Sequence, residues 1–126
     1  MSIVRSKSQL FAKRIVKMYK YIAEKYQEFV LSKQILRSWT AIGALLHEAE
    51  FAQSPADYIN KMNVALKEAN ETKYWLDLLQ TWWYLSTKQF ENINNDCLEI
   101  VKMLVSSIKT LKKSNLNKKT NKQNTF

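Results

Sequence analysis

The chain has 126 residues, enough for one domain with a single core, and it contains only one glycine and one proline. A sheet of this size needs several tight turns built on such residues, so the composition excludes a strand-rich fold and favours a few long helices. The formal net charge is +9, and a strongly basic chain favours an anionic partner such as nucleic acid or a membrane surface.

The positive charge is unevenly distributed along the chain. Residues 1–37 carry nine basic and two acidic side chains, residues 38–101 carry four and nine, and residues 102–126 carry seven and none. Two basic segments that flank an acidic one favour an electrostatic partner for the basic parts. Lysines that only keep a small protein in solution explain the same distribution equally well.

The first predicted helix covers about residues 8–29. Its apolar side chains recur every three or four residues, as in an amphipathic helix. They are Phe11, Ile15, Met18, Ile22, Tyr26 and Phe29. Four basic side chains lie off this stripe and form a candidate nucleic-acid-binding face: Lys13, Arg14, Lys17 and Lys20.

The second predicted helix covers about residues 33–52 and follows Ser32, a favourable N-cap residue. Gly43 lies inside it at a cost of about 1 kcal/mol relative to alanine, which indicates close packing of another helix at that position. Arg37 and Glu48 are candidates for a polar network with two carboxylates of the next helix, Glu68 and Glu71. We expect such a network to fix helix register more than to add stability.

The third predicted helix covers about residues 55–82, with Ser54 as N-cap and Pro55 at the first helical position. Large aromatic rings crowd its end, and a further ring lies in the second helix. The four tryptophans of this group are Trp39, Trp75, Trp82 and Trp83. They are candidates for a subunit interface, where tryptophan is enriched, or they close the end of the bundle.

The fourth predicted helix covers about residues 87–113, and Ser86 with Gln89 matches a capping box. Three lysines near its end form a second candidate nucleic-acid-binding group: Lys109, Lys112 and Lys113. Residues 114–126 are polar and basic, and we expect a disordered tail. Residues 1–113 then form one domain, and short connections predict an up-down-up-down antiparallel four-helix bundle.

Catalytic and metal chemistry is weakly supported. His47 is the only histidine and is interpreted as a solvated helix residue, and the only cysteine, Cys97, follows the apolar stripe of the fourth helix as a packing thiol. We therefore predict no enzyme activity, no metal site and no cofactor. Neither a signal peptide nor a membrane-spanning segment is recognisable, so we expect a cytoplasmic protein without membrane contact.

Two consecutive segments carry a family resemblance. Residues 30–50 read VLSKQILRSWTAIGALLHEAE, and residues 56–79 read ADYINKMNVALKEANETKYWLDLL. They resemble the proteins encoded in intervening sequences of bacterial 23S rRNA genes. That resemblance implies a four-helix bundle that assembles as a ring-like homopentamer. It also implies a relationship to the accessory variability protein of diversity-generating retroelements, a basic pentamer that binds RNA and its reverse transcriptase.

The second helix departs from the pattern that is usual in this family, RSGTSIGANIAEA. Trp39 stands in place of the glycine, Ala41 in place of the serine and Leu45 in place of the asparagine. Arg37, Gly43 and Glu48 are retained. The substitutions replace small and polar residues, which alters the packing expected between protomers.

The combined prediction is a non-enzymatic, oligomeric bundle that binds nucleic acid, RNA rather than DNA, through its basic helix faces. Phosphate contacts of this kind give affinity and salt dependence without sequence specificity. The alternative is a structural scaffold or protein-interaction module, for example for a reverse transcriptase, with no direct role in nucleic-acid binding.

Overall fold

Four helices make up the computed structural model, which describes residues 3–124, with side chains as far as residue 114. They are α1 (Ile3–Tyr26), α2 (Leu31–Ala49), α3 (Pro55–Thr81) and α4 (Thr87–Asn124). α1 packs against α2 and α4, and α3 packs against the same two helices. No strand occurs within residues 3–124, and the all-α, four-helix prediction is confirmed.

An aliphatic core lies between the four helices. Each helix contributes side chains that are almost completely buried, and burial of one such side chain is worth about 1.5–3 kcal/mol. Examples are Ile15, Ile22, Ile35, Ile42, Leu76, Leu79, Ile100 and Leu104. The predicted stripe of α1 is confirmed from Phe11 to Ile22, whereas Tyr26 and Phe29 are exposed at the end of the bundle.

The first and last helices extend further than the sequence predicted. α1 begins at Ile3 because Val4 and Ser8 continue its buried stripe one turn apart. α4 continues to Asn124, whereas the sequence analysis ended it at about residue 113 and predicted a disordered tail after it. Residues 87–124 contain no glycine or proline to end a helix, and extending an existing helix costs less than starting one. Residues 125–126 lie outside the described part of the chain.

Gly43 does not mark close packing of another helix, as the sequence predicted. A Cβ atom at this position would meet no atom within 4 Å. Ile42 and Leu46 turn toward the core, and Gly43 follows Ile42 by one residue, so it faces away from the neighbouring helices. Within this chain, Gly43 therefore lowers the helix propensity of α2, and no close contact with another helix compensates for that cost.

The start of α2 is capped by a carboxylate and not by Ser32. Glu28 accepts hydrogen bonds from the backbone N–H groups of Val30, Leu31 and Ser32 at 2.9, 2.7 and 2.9 Å. Partial burial alone would raise the pKa of Glu28, but these N–H donors together hold that pKa below its ordinary value. Ser32 is buried inside the helix, and its hydroxyl donates to the Glu28 carbonyl.

The caps predicted for α3 and α4 are confirmed. The Ser54 hydroxyl accepts from the Asp57 N–H at 3.1 Å. At α4, the Ser86 hydroxyl accepts from the Gln89 N–H, and the Gln89 side chain accepts from the Ser86 N–H. These reciprocal bonds form a capping box, which satisfies two otherwise unpaired backbone donors.

The end of α3 is a Schellman motif with an unusual residue. The Tyr84 N–H donates to the Leu79 carbonyl at 2.9 Å, and the Trp83 N–H donates to the Gln80 carbonyl at 3.0 Å. Trp83 thus occupies the position that glycine usually takes, with φ at 67°. A tryptophan in this left-handed conformation is strained, and its ring is 85% exposed, so little packing compensates the strain.

Trp83→Gly is expected to raise the free energy of unfolding by about 1 kcal/mol, because glycine adopts a positive φ without steric cost. Urea unfolding of the purified protein measures the change. Trp82→Gly is the matched control, since Trp82 is also exposed but has φ at −94°. A Trp83→Gly variant that is less stable than the parent would contradict the interpretation.

Glu28→Gln is expected to lower the free energy of unfolding by about 1 kcal/mol at neutral pH, because the charged cap of α2 is lost. Since folding lowers the Glu28 pKa, its contribution is present above the unfolded-state pKa and disappears as the pH falls through the folded-state pKa. Denaturant unfolding of both proteins across the acidic range tests this. A stability difference that stays constant down to strongly acidic pH would rule out the carboxylate cap.

Candidate nucleic-acid interface

The lysines predicted on α1 form an exposed face. Lys13, Lys17 and Lys20 are spaced by four and three residues, so they lie on one side of the helix. Within the described part of the chain, none of the three makes an ion pair with a carboxylate. Their charges are therefore available to an anionic ligand.

Arg14 does not share this role with its neighbours. Its guanidinium forms an ion pair with Asp96 of α4. Two turns further toward the start of α1, Lys7 pairs with Glu99. Burial raises the pKa of Asp96 although Arg14 opposes that shift. Arg14 therefore joins α1 to α4, and the sequence grouped it with the lysines because its partner lies 82 residues away.

The predicted lysines of α4 are exposed as well, but they lie elsewhere. Lys109, Lys112 and Lys113 follow the stretch of α4 that lies beside the start of α1, where Ile3 and Lys102 line one cleft. The lysines of α1 instead lie near the first half of α4, where Lys17 and Gln89 line another cleft. The structure therefore places two separate basic surfaces on the bundle and does not join them.

The polar network predicted between α2 and α3 is largely assembled. The Arg37 guanidinium donates to Glu71 at 2.6 Å and to Glu68 at 3.4 Å. The bond from Arg37 lowers the pKa of Glu71, whereas burial and the neighbouring Glu71 raise the pKa of Glu68. Glu48 is not a member, since its nearest cation is Lys61 at 3.8 Å. It lies three turns further along α2 than Arg37, too far to reach the same carboxylates.

The four candidate tryptophans have different environments. Trp39 is 1% exposed and packs against Phe11 in the core, so it is corrected from a subunit-interface candidate to a core residue. The Trp39 ring lies on the buried side of α2, one turn from the buried side chains of Ile35 and Ile42. Trp75 is half-buried and donates to Glu71 at 3.3 Å. Trp82 and Trp83 are 65% and 85% exposed, which leaves both rings open to a partner.

Exposed aromatic side chains from two helix ends meet at one end of the bundle. The Tyr26 ring of α1 contacts the Tyr84 ring after α3, with centroids 5.3 Å apart. We call this surface the aromatic end and define it by Tyr21, Tyr26, Phe29, Trp82 and Trp83. The sequence analysis located Trp82 and Trp83 at the end of the third helix, but it did not predict that rings of α1 lie beside them there.

His47 and Cys97 offer no catalytic arrangement. His47 is exposed and contacts Arg5 at 2.8 Å. Cys97 is buried, its thiol donates to the Ala69 carbonyl, and burial raises the thiol pKa to about 12. Among the described residues, no three potential metal ligands cluster together. No helix in the same part of the chain is both long and apolar enough to cross a membrane.

The fold and its surface define a small helical-bundle protein with exposed lysine faces. The family model of the 23S rRNA-intervening sequence protein matches residues 2–106, so the chain belongs to this family. A crystal structure of a protein of unknown function, from the S23 ribosomal protein family of Bacteroides thetaiotaomicron, is 59% identical, with a TM-score of 0.83. The match covers 85% of this chain and 99% of that one. None of the curated proteins matches significantly.

Proposed function

We propose that this protein is a non-enzymatic, cytoplasmic and oligomeric bundle that binds nucleic acid, RNA in preference to DNA. The observation that carries the proposal is the face of α1 with Lys13, Lys17 and Lys20 exposed and without carboxylate partners in the described part of the chain. A row of flexible cations along one helix side matches the regular spacing of backbone phosphates. The exposed lysines of α4 supply a second contact surface.

The proposal includes an up-down-up-down antiparallel arrangement. Between α1 and α4, Lys7 pairs with Glu99 and Arg14 pairs with Asp96, so numbers rise along one helix as they fall along the other. Between α1 and α2, Arg5 contacts His47 while Phe11 contacts Trp39. The same order reversal holds at both contacts, as expected for neighbours joined by short connections.

The proposal also includes assembly as a ring-like homopentamer, with the outer side of α2 and α3 as the subunit contact. Tyr74 is exposed and its ring lies 5.1 Å from that of Trp75, next to the half-exposed Arg37. Tryptophan, tyrosine and arginine are the side chains that most often dominate the energetics of protein contacts. A ring would repeat each basic face five times and so raise avidity for a long polynucleotide.

Neutralising the α1 face with Lys13→Gln, Lys17→Gln and Lys20→Gln together is expected to weaken RNA binding about tenfold or more at low salt. It should also reduce the slope of log affinity against log salt by about 2, because phosphate contacts are lost. Fluorescence anisotropy of nuclease-treated protein with labelled RNA measures both. The charge-matched control is Lys61→Gln, Lys88→Gln and Lys102→Gln, none of which belongs to a proposed contact surface. Equal losses in both variants would mean that net charge, and not this face, binds RNA.

The purified protein is expected to have a mass about five times the 14.9 kDa of the single chain. Multi-angle light scattering coupled to gel filtration measures the mass. Tyr74→Ala together with Arg37→Ala should lower it, because the proposed contact loses two of its main side chains. A parent protein that runs at the mass of one chain would refute the assembly.

The same face of α2 and α3 favours a second candidate function. An arginine beside two aromatic rings in edge-to-face contact suits a protein partner as well as a second copy. In that case the bundle is a scaffold, for example for a reverse transcriptase, and the lysines contribute only solubility. Absence of RNA binding at low salt would select this candidate, and affinity capture with the Tyr74→Ala variant as control would test it.

A further inference from the structure

Two clefts adjoin one another at the aromatic end. The first lies beside the turn between α3 and α4, and Trp83, Leu85 and Ser86 are among its lining residues. The second, of about 260 Å³, lies between α1 and α4, where Tyr21 and Gln89 face one another. The buried Leu85 lines both clefts, so the two clefts lie on either side of this residue, between the exposed Trp83 and α1.

The cleft between α1 and α4 combines groups that suit an unpaired nucleotide. Tyr21 offers an aromatic ring, Gln89 and Asn92 offer amide donors and acceptors, and Lys17 offers a cation. Lys25 donates to the Tyr21 hydroxyl at 2.9 Å and lies over the Tyr26 ring, 5.2 Å from its centroid. Stacking rings beside cations are the combination that single-stranded nucleic acid requires.

Two carboxylates near this surface are already engaged within the protein. Asp96 pairs with Arg14, and Glu28 accepts from the backbone at the start of α2. Neither therefore competes freely for Lys17 or Lys25. The cleft also continues into the α1 face, because Lys17 belongs to both. A polynucleotide strand bound along Lys13, Lys17 and Lys20 would therefore reach the aromatic rings beside the cleft.

The backbone strain at Trp83 also favours a ligand-binding role for its ring. Glycine would serve the Schellman motif better, yet this position holds a large, exposed ring in a left-handed conformation. The ring contributes little to folding. A residue that is unfavourable for stability and open to solvent is a candidate for contact with a ligand.

We propose that the aromatic end binds unpaired bases of single-stranded RNA, with Trp82 and Trp83 stacking on bases and Lys17 and Lys25 contacting phosphates. The inference rests on the proposed function and specifies its substrate class. Bases in a duplex are stacked on both faces and offer no free surface to an exposed indole. The protein therefore prefers a single strand, or a loop, to a duplex.

The test compares two labelled RNAs of about 16 nucleotides, one unstructured and one fully paired, by fluorescence anisotropy with the complete chain. The parent is expected to bind the single strand more tightly than the duplex. Trp83→Gly, which removes the ring without harming the fold, and Trp82→Ala with Trp83→Ala should each weaken single-strand binding, the double variant about tenfold or more. Duplex binding should change little.

Phe51→Ala is the matched control, since Phe51 is an exposed ring beside His47, away from the aromatic end. Selective loss in the tryptophan variants, with the control unchanged, supports the inference. Equal affinity for both RNAs and no effect of Trp83→Gly would overturn it while leaving the lysine-based function intact. If neither RNA binds at low salt, the proposed function and this inference both fail, and the aromatic end is a protein contact.

Discussion

The register between α2 and α3 depends on one buried hydroxyl pair. The Ser38 and Thr72 hydroxyls lie 2.8 Å apart, and both side chains are completely buried. Each hydroxyl has one proton, so one donates to the other hydroxyl while the second donates to a carbonyl of its own helix, Ile35 for Ser38 or Glu68 for Thr72. A shift of one helix by a turn would remove the bond between the helices and leave each hydroxyl with only a carbonyl of its own helix, at a cost of about 1 kcal/mol. The pair therefore selects one alignment from several that the aliphatic side chains would accept.

The register between α2 and α3 also determines which side chains lie next to one another on the surface. Arg37 directly precedes Ser38 and binds Glu68 and Glu71. It is half-exposed, so solvent screens these charges and they add little stability. The same register sets where α3 ends, and hence where Tyr84 meets Tyr26 and where Trp82 and Trp83 emerge. A packing constraint in the interior thus determines which rings lie next to the lysines of α1.

Features that depend on neighbouring residues in the chain were predictable from the sequence. The apolar stripes, the four helices and the caps at Ser54 and Ser86 follow from spacing over three or four residues. The lysines of α1 were recognisable for the same reason. The pairing of Arg14 with Asp96 could not be predicted, because the packing of α1 on α4 brings the two side chains together. Trp39 was only a candidate for the subunit interface, because the size of its ring does not indicate which side of α2 the core occupies. The aromatic end joins residues almost 60 positions apart, and no local pattern encodes that contact.

The contrast between Trp39 and Trp83 gives the protein internal spectroscopic reporters. The Trp39 indole N–H is buried and lacks a hydrogen-bond partner among the described residues, so its surroundings are rigid and apolar. Light emitted by this ring is shifted to short wavelength and is shielded from dissolved quenchers. Trp83 lies in water and emits at longer wavelength. The emission spectrum therefore contains an interior component from Trp39 and a surface component from Trp82 and Trp83, with half-buried Trp75 between them. The first reports on the integrity of the core, and the second reports on occupancy of the bundle end.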